Sequence, residues 1–479
     1  MKVLLVAVNG SYSHTNLAIR CLRAPLERAG FTVALLERNL RDRTQHILQD
    51  IVAQNADVVG FSTYIWNVSV MLELASDLRA VQPNVKIFFG GPEVSYETER
   101  FADADYMDCI ICGEGEIAAV DVCTAFRDGK SVPRMMQGTP DAAAMLDAGI
   151  LYRQGDYPAG SMLYYESSRG CPYACAYCLS SAEEGVRAKS LEEVESDLLA
   201  FENLPDNIKI IKFVDRTFNY SQKRANTIWS MLLEDRFTKH YHFEVTATLL
   251  NEESFAILSR FPKGKIQLEF GLQSTNPQTL AAVSRHIDPA RVLSAVDRIK
   301  KMGNIHVHLD LIAGLPYENF DRFRQSFNDA YPVCDLLQLG FLKLLPGTAL
   351  RRDAERYGIK YAQNPPYTVL CTQWLTYADI TRLCAVDEVL ERFRDGGRFT
   401  NSLQLVFAHT SDYFGFFDGL AAYIAANDMR RLQQIAQTDV YRLFYDYCKT
   451  VLPVALHAEL ERTVHADFAA SETRKLHLF

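Results

Sequence analysis

The sequence predicts an α/β protein in three parts: a doubly wound parallel sheet, a partial barrel of six parallel strand-helix units, and a mostly helical end. Three observations predict it. Over the first 130 or so residues, short and almost unbroken apolar runs alternate with amphipathic stretches, as in a parallel sheet covered by helices on both faces. The rhythm restarts at Met162 and continues through six apolar runs to Phe341. From about residue 365, helical stretches follow one another instead. At 479 residues the chain is too long for one core. The pattern divides it into 1–135, a linker 136–161, a barrel 162–355 and a helical domain 365–479.

In the first part the strand candidates run from Lys2 to Val8, Thr32 to Leu36, Val58 to Ser62, Lys86 to Phe89 and Asp108 to Cys112. The stretches Asn16 to Arg28, Thr44 to Gln54 and Ser69 to Val81 read as helices between them. Ligands on such sheets bind at the strand C-terminal ends. Those ends carry Asn9-Gly10-Ser11-Tyr12-Ser13-His14, Ser62-Thr63-Tyr64, Gly90-Gly91-Pro92-Glu93 and Gly113-Glu114-Gly115-Glu116. Glycine there lets backbone approach a flat or phosphate-bearing ligand, and glycine that only makes turns is the plainer alternative. No G-x-G-x-x-G follows the first strand, which disfavours a nicotinamide site.

Residues 136–161 show no sustained periodicity and hold Gly138-Thr139-Pro140 and Pro158-Ala159-Gly160, the composition of a linker. The barrel opens with an apolar strand from Met162 that runs into Cys171-Pro172-Tyr173-Ala174-Cys175-Ala176-Tyr177-Cys178. Further strands are expected at 208–214, 242–246, 265–270, 307–312 and 336–341, with helices between them, and βα loops at the C-terminal mouth of such a barrel build active sites. His306 and His308 share a strand face and read as barrel-lining residues. Beyond Pro365-Pro366, helices are expected at 377–393, 420–427, 429–437 and 440–452, with aromatic clusters such as Phe414-Gly415-Phe416-Phe417 between and within them.

The cysteine loop is the most specific feature. Three thiols at i, i+4 and i+7 suit a cubane iron-sulfur cluster, which then keeps one iron open to a substrate or cofactor. Structural zinc asks for four ligands in paired knuckles, and no second pair lies nearby. Cys109 and Cys112 fall on an apparent strand and face opposite sides of its sheet, so they read as core. The apolar run at the N-terminus is too short for a signal or a membrane span. A cytoplasmic location follows as the expectation, with the eleven cysteines kept reduced. The net charge of -9 argues against a nucleic-acid partner held by general electrostatics.

Cys-x-x-x-Cys-x-x-Cys with Tyr177 before its last cysteine is similar to the signature of the radical SAM superfamily, a resemblance covering about residues 162 to 350. It implies a TIM-type partial barrel and a [4Fe-4S] cluster on Cys171, Cys175 and Cys178, with S-adenosylmethionine (SAM) on the fourth iron. An electron from a flavodoxin- or ferredoxin-type donor would then release a 5′-deoxyadenosyl radical that takes hydrogen from carbon. By the same resemblance, Tyr177, Asp215, Glu244, Gln273, Ser274 and Arg285 are candidate SAM contacts. For Asp310, which stands in a recurring late-strand run of the family, a satisfied barrel residue is the preferred reading.

The strand-end runs Val59-Gly60-Phe61-Ser62, Phe88-Phe89-Gly90-Gly91-Pro92 and Cys112-Gly113-Glu114-Gly115-Glu116 resemble the Rossmann-like cobalamin-binding domain that precedes the barrel in many radical SAM enzymes. The resemblance implies cobalamin contacts at Ser11, Tyr12, Ser62, Thr63, Tyr64, Gly90, Gly91, Pro92, Gly113, Glu114 and Gly115. The Asp-x-His-x-x-Gly of cobalt-ligating domains is missing, so His14 is expected to be a polar loop residue near the site. Tyr64 and Trp66 could pack on the corrin, with core packing as the commoner role of such rings. The implied reaction is methylation of an unactivated carbon of an unnamed substrate. Alternatives are a cobalamin-linked rearrangement, cyclisation or oxidation, a tRNA methylthiotransferase, and a non-catalytic sensor. The methylthiotransferase would need a second cluster on N-terminal cysteines and a basic β domain, whereas the tail from 365 holds 14 acidic and 11 basic residues. That tail resembles a domain of uncharacterised function found with this architecture.

Overall fold

The computed structural model describes residues 1–140, 151–153, 155–158, 160–182, 185–205, 207–427 and 431–471. They form two compact units, one of Met1–Leu268, Lys343–Arg352 and Ala362–Thr368, the other of Glu269–Leu342, Asp353–Tyr361 and the chain from Val369.

The first unit opens with strands β1 (Lys2–Asn9), β2 (Thr32–Asn39), β3 (Val58–Ser62), β4 (Lys86–Gly90), β5 (Cys109–Cys112) and β6 (Met135–Gln137). They pair in the order β2-β1-β3-β4-β5-β6, all parallel. Five of these strands follow the apolar runs; β1, β3, β4 and β5 are covered on both faces and largely buried, whereas the edge strand β2 is mostly half-buried. On β1, Leu4, Val6 and Val8 enter one core with Ile47, Met71 and Leu74 of helices α2 (Thr44–Ala53) and α3 (Val68–Val81). Val3, Leu5 and Ala7 enter the other, with Ile19 and Leu26 of α1 (Leu17–Arg28) and Val122 of α4 (Glu116–Arg127). Cys112 lies in the first of these cores and Cys109 in the second, as strand alternation requires. The order reverses between β1 and β3, the switch point where open parallel sheets take ligands.

The sixth strand was not expected. Met135-Met136-Gln137 is an exposed edge, so it has no apolar run to read. The rest of the expected linker is also held more firmly than its composition suggests, wherever it is described. Fully buried Arg20 donates to the Asp156 carbonyl at 2.9 Å and pairs with Glu37 at 2.5 Å. Arg23 pairs with Asp156 at 2.6 Å and donates to the Leu151 carbonyl at 2.9 Å. Residues 141–150, 154 and 159 of that stretch lie outside the described residues.

The first unit continues with β7 (Leu163–Tyr165), β8 (Ser168–Gly170), β9 (Val186–Ala188), β10 (Ile210–Phe213), β11 (His240–Val245) and the start of β12 (Ile266–Gln273), in the order β12-β11-β10-β7, with β10 parallel to both β11 and β7. The apolar run from Met162 is therefore not a single strand into the cysteines. It stops at Tyr165, and β8 pairs antiparallel with β9 in a separate ribbon. In the second unit the order is β14-β13-β12, with β13 at His306–Ala313 and β14 at Leu336–Phe341. Burial alternates along β13: Val307, Leu309 and Leu311 are buried, whereas His308 and Asp310 are half-exposed on the other face. The rings of His306 and His308 lie 4.8 Å apart on that face.

The second unit ends in helices Tyr377–Leu390, Thr400–Phe407, Tyr413–Asn427, Gln437–Val451 and His457–Ser471. Phe414, Phe416 and Phe417 lie inside the third of these, where they are buried with Phe444 and Tyr447. The expected helix 429–437 begins outside the described residues, and Leu432–Gln434 is a single 3-10 turn. Among the described residues no helix is long and apolar enough to cross a membrane.

Candidate active site

A cavity of about 580 Å³ opens at the C-terminal ends of the first sheet. Eight of the eleven expected cobalamin contacts line it: Ser62, Tyr64, Gly90, Gly91, Pro92, Gly113, Glu114 and Gly115. Gly91 is at φ +112°, and a Cβ there would stand 2.3 Å from the Thr63 carbonyl, so two strand ends approach more closely than any other residue permits. Ser11, Tyr12 and Thr63 do not line the cavity. The Thr63 hydroxyl turns back to the Gly90 carbonyl at 2.7 Å, Tyr12 reaches outward to Asp42 at 3.2 Å, and Ser11 meets Ser13 at the surface.

Trp66 and His14, both read from the sequence as neighbours of the site, also line the wall. Trp66 stacks on Tyr64 and is 47% exposed. The Nδ1 of His14 lies 2.8 Å from the Tyr164 hydroxyl, and burial followed by the Lys212 charge lowers the His14 pKa. Tyr164, Glu166, Ser168, Arg169 and Gly170 come from β7, β8 and the turn between them, so this wall leads directly to Cys171.

The cysteine loop leaves β8 and returns on β9. Gly170 is at φ +96°, and a Cβ would come within 2.2 Å of the Gly185 carbonyl, which closes the neck of the loop. Cys175 is buried, while Cys171 and Cys178 are half-exposed. The Cys178 amide donates to the Cys175 carbonyl at 3.0 Å, and the Leu350 amide donates to the Ala176 carbonyl at 2.8 Å. Cys171 Sγ lies 3.6 Å from the Thr217 hydroxyl. The donor set suits a cluster, because the three thiols lie in one short loop and each can take a separate iron. Among the described residues, no three His, Cys, Asp or Glu side chains converge on a single ion.

Asp215 organises the approach to this loop. Its carboxylate accepts the Ser167 amide at 3.0 Å, the Ser167 hydroxyl at 2.6 Å and the Ser168 hydroxyl. That turns the chain from β7 into β8. Burial raises its pKa to about 6 against the pull of those bonds. The expected SAM contact is thus a fully enclosed carboxylate whose two oxygens are both engaged. Glu244 stands half-buried on β11 with Lys212 Nζ at 3.9 Å, and Tyr177 is half-buried in the loop.

The remaining three candidates lie in the second unit. Gln273 ends β12 at φ +72°, and its buried Oε1 has no hydrogen-bond partner. Arg285 donates to the Gly271 carbonyl. The unpartnered amide oxygen beside a guanidinium suits a ligand that carries both a donor and a carboxylate, as the amino-acid end of SAM does. Ser274 differs: it is fully buried, its hydroxyl donates to Glu318 at 2.7 Å, and it accepts the Asn276 amide at 2.9 Å. Its side chain holds the loop together.

The other N-terminal cysteines are core thiols. Cys21, Cys109, Cys112 and Cys123 are buried, and burial raises the pKa of each, to about 11 for Cys109 and about 12 for Cys123. They offer no second cluster loop.

Three family models match in succession: the B12 binding domain over residues 3–122, the radical SAM superfamily over 165–330, and a protein family of unknown function, DUF4080, over 355–476. The chain is a radical SAM enzyme with a cobalamin-binding domain. Among relatives of this cobalamin-domain radical SAM enzyme, the uncharacterized methyltransferase PH0819 of Pyrococcus horikoshii is 24% identical over 68% of this chain and 76% of its own. The cobalamin-dependent radical SAM methyltransferase TokK of Streptomyces tokunonensis is 23% identical over 88% of this chain and 69% of its own. A solved structure of the cobalamin-dependent SAM radical enzyme OxsB with aqua-cobalamin shares the fold, with a TM-score of 0.65 at 13% identity over 98% of this chain and 81% of that one.

Proposed function

We propose that this radical SAM enzyme methylates an unactivated carbon of its substrate, with cobalamin in the cavity of the first sheet and a [4Fe-4S] cluster on Cys171, Cys175 and Cys178. One observation carries the reading: the cavity wall built by the strand-end turns continues through Glu166, Arg169 and Gly170 to Cys171. Bound together, SAM and the cluster would supply a 5′-deoxyadenosyl radical to remove a hydrogen atom, and cobalamin would supply the methyl group that takes its place.

The protein's part is alignment and exclusion of water. The Tyr64–Trp66 stack and the glycine turns offer a flat apolar seat to the corrin. Asp215, through Ser167 and Ser168, fixes the strand that enters the cysteine loop. Gln273 and Arg285 offer an acceptor and a cation to the amino acid end of SAM, with Glu244 and Tyr177 as further candidates. An electron from a flavodoxin- or ferredoxin-type donor and a cytoplasmic setting complete the reading. The barrel is assigned to 162–355, between the cobalamin domain 1–135 and the helical domain 365–479.

Anaerobic reconstitution followed by optical and mass-spectral identification of bound cofactors tests this reading. Bound corrin, about four irons, and 5′-deoxyadenosine formed from SAM under reduction are expected. A protein that takes up iron but no corrin overturns it, and deoxyadenosine without methyl transfer to any product moves it to a cobalamin-linked rearrangement or oxidation.

A further inference from the structure

β8 and β9 carry the cysteine loop between them, and their register sets Arg169 directly opposite Arg187. Like charges directly opposed across an antiparallel pair repel, so the ribbon needs an anion to close. The anion comes from the first sheet. Glu114 Oε2 accepts Arg169 Nη1 at 3.0 Å and Arg187 Nη1 at 3.2 Å, and Oε1 accepts Arg187 Nη2. Arg169 also binds Glu116 at 2.9 Å and Glu166 at 2.7 Å. The Glu114 and Glu116 side chains are each 7% exposed and Arg169 is 16% exposed, so little water screens the network.

Glu114 sits between Gly113 and Gly115, whose turn lines the cavity assigned to cobalamin. Its carboxylate grips both strands of the ribbon. A ligand seated on the turn therefore fixes Glu114, Glu114 fixes Arg169 and Arg187, and Arg169 is two residues from Cys171. We propose that Arg169 is a positioning residue through which occupancy of the cobalamin cavity and ordering of the cysteine loop favour each other. The inference rests on the cofactor assignment above. It requires reciprocity: cobalamin must bind more tightly when the cluster is present, and the cluster must be held more tightly, by the same factor, when cobalamin is present.

The test is a titration of the full chain with hydroxocobalamin, cluster-free and cluster-reconstituted, under anaerobic conditions. The expected ratio of dissociation constants is about five-fold or more. The reduced cluster should also show an EPR spectrum that shifts when hydroxocobalamin is added. Arg169→Gln alone leaves three carboxylates with Arg187, so it is combined with Glu166→Gln to limit the surplus charge, and circular dichroism verifies the fold. In that pair the ratio should fall to one and the EPR shift should vanish. Arg187→Gln, at a 30% exposed position, is the second variant, and the ratio should fall part of the way.

A wild-type ratio of one, with cobalamin bound, overturns the coupling and leaves the proposed function standing. No hydroxocobalamin binding in either state overturns the function itself. A full ratio retained in a folded Arg169→Gln/Glu166→Gln protein, or in Arg187→Gln should the pair fail to fold, overturns the assignment to this network.

Discussion

The rings of Tyr64 and Trp66 lie stacked with centroids 4.5 Å apart and planes 6° from parallel at the end of β3. Trp66 Nε1 donates to the Val8 carbonyl at 3.3 Å, which turns the ring across the end of β1. Nearly half of the side chain faces the cavity or solvent, so replacing it removes little core. Trp66→Ala is expected to change folding stability by less than about 1 kcal/mol. It should weaken hydroxocobalamin binding by roughly ten-fold, the equivalent of ~1.4 kcal/mol of lost aromatic contact. Unchanged affinity in a titration would remove the stack from the corrin seat.

Gly91 makes the same seat possible from the backbone side. A methyl group there meets the Thr63 carbonyl at 2.3 Å and forces a side chain into φ +112°. Gly91→Ala should lower unfolding stability by about 3 kcal/mol, read from urea unfolding. A loss within experimental scatter of zero would mean that the two strand ends separate freely, contrary to the close approach described.

How much of this was legible in the sequence depended on how local each feature is. The strands β1, β3, β4 and β5 were readable because both faces of the sheet are buried there, so every residue from Val3 to Val8 is apolar. The cysteine loop was readable because its chemistry is complete within eight residues. The ribbon around it was not, since β8 and β9 are three residues each and pair across the whole loop. Nor was the role of Glu114, whose partners lie 55 and 73 residues away. A glutamate between two glycines at a strand end reads as a ligand contact, and only the fold reveals that its carboxylate serves two arginines. The partners of Ser274 and Asp215 were hidden for the same reason: each side chain is enclosed by groups that only the fold brings to it.

Glu318 provides a pH test in the second unit. Burial raises its pKa from 4.5 to about 7, against the opposing pull of the Ser274 and Ser326 hydroxyls and the Arg322 charge. The folded chain therefore holds this proton more tightly than the unfolded chain. The penalty of the ionised carboxylate is complete above about pH 7 and fades as pH falls toward 4.5, so this group makes the protein more stable in mild acid, by roughly 3 kcal/mol at most. Asp215, Asp387 and Asp395 are raised as well, to about 6, 7 and 6, and titrate in the same direction. The difference between wild type and Glu318→Gln isolates the one group. Melting temperatures between pH 5 and 7.5 should rise toward acid more steeply in the wild type than in the variant, and parallel curves would contradict the burial argument.

The cysteines separate by environment, and iron content should separate with them. Cys171, Cys175 and Cys178 share a loop whose neck is closed by the Gly170–Gly185 contact, while Cys112 lies in the core beneath the sheet. Cys175→Ala removes one of the loop's three thiolates, and Cys109, Cys112 and Cys123 are packed in the cores of the first sheet. Reconstituted Cys175→Ala should hold less than about a tenth of the wild-type iron and form no 5′-deoxyadenosine from SAM. Cys112→Ala should lose about 1 kcal/mol of stability through its small cavity and keep its iron. Iron analysis and anaerobic SAM-cleavage assays of the two variants decide the matter: equal iron loss in both would place a ligand in the first sheet, and full iron in Cys175→Ala would take the cluster out of the loop.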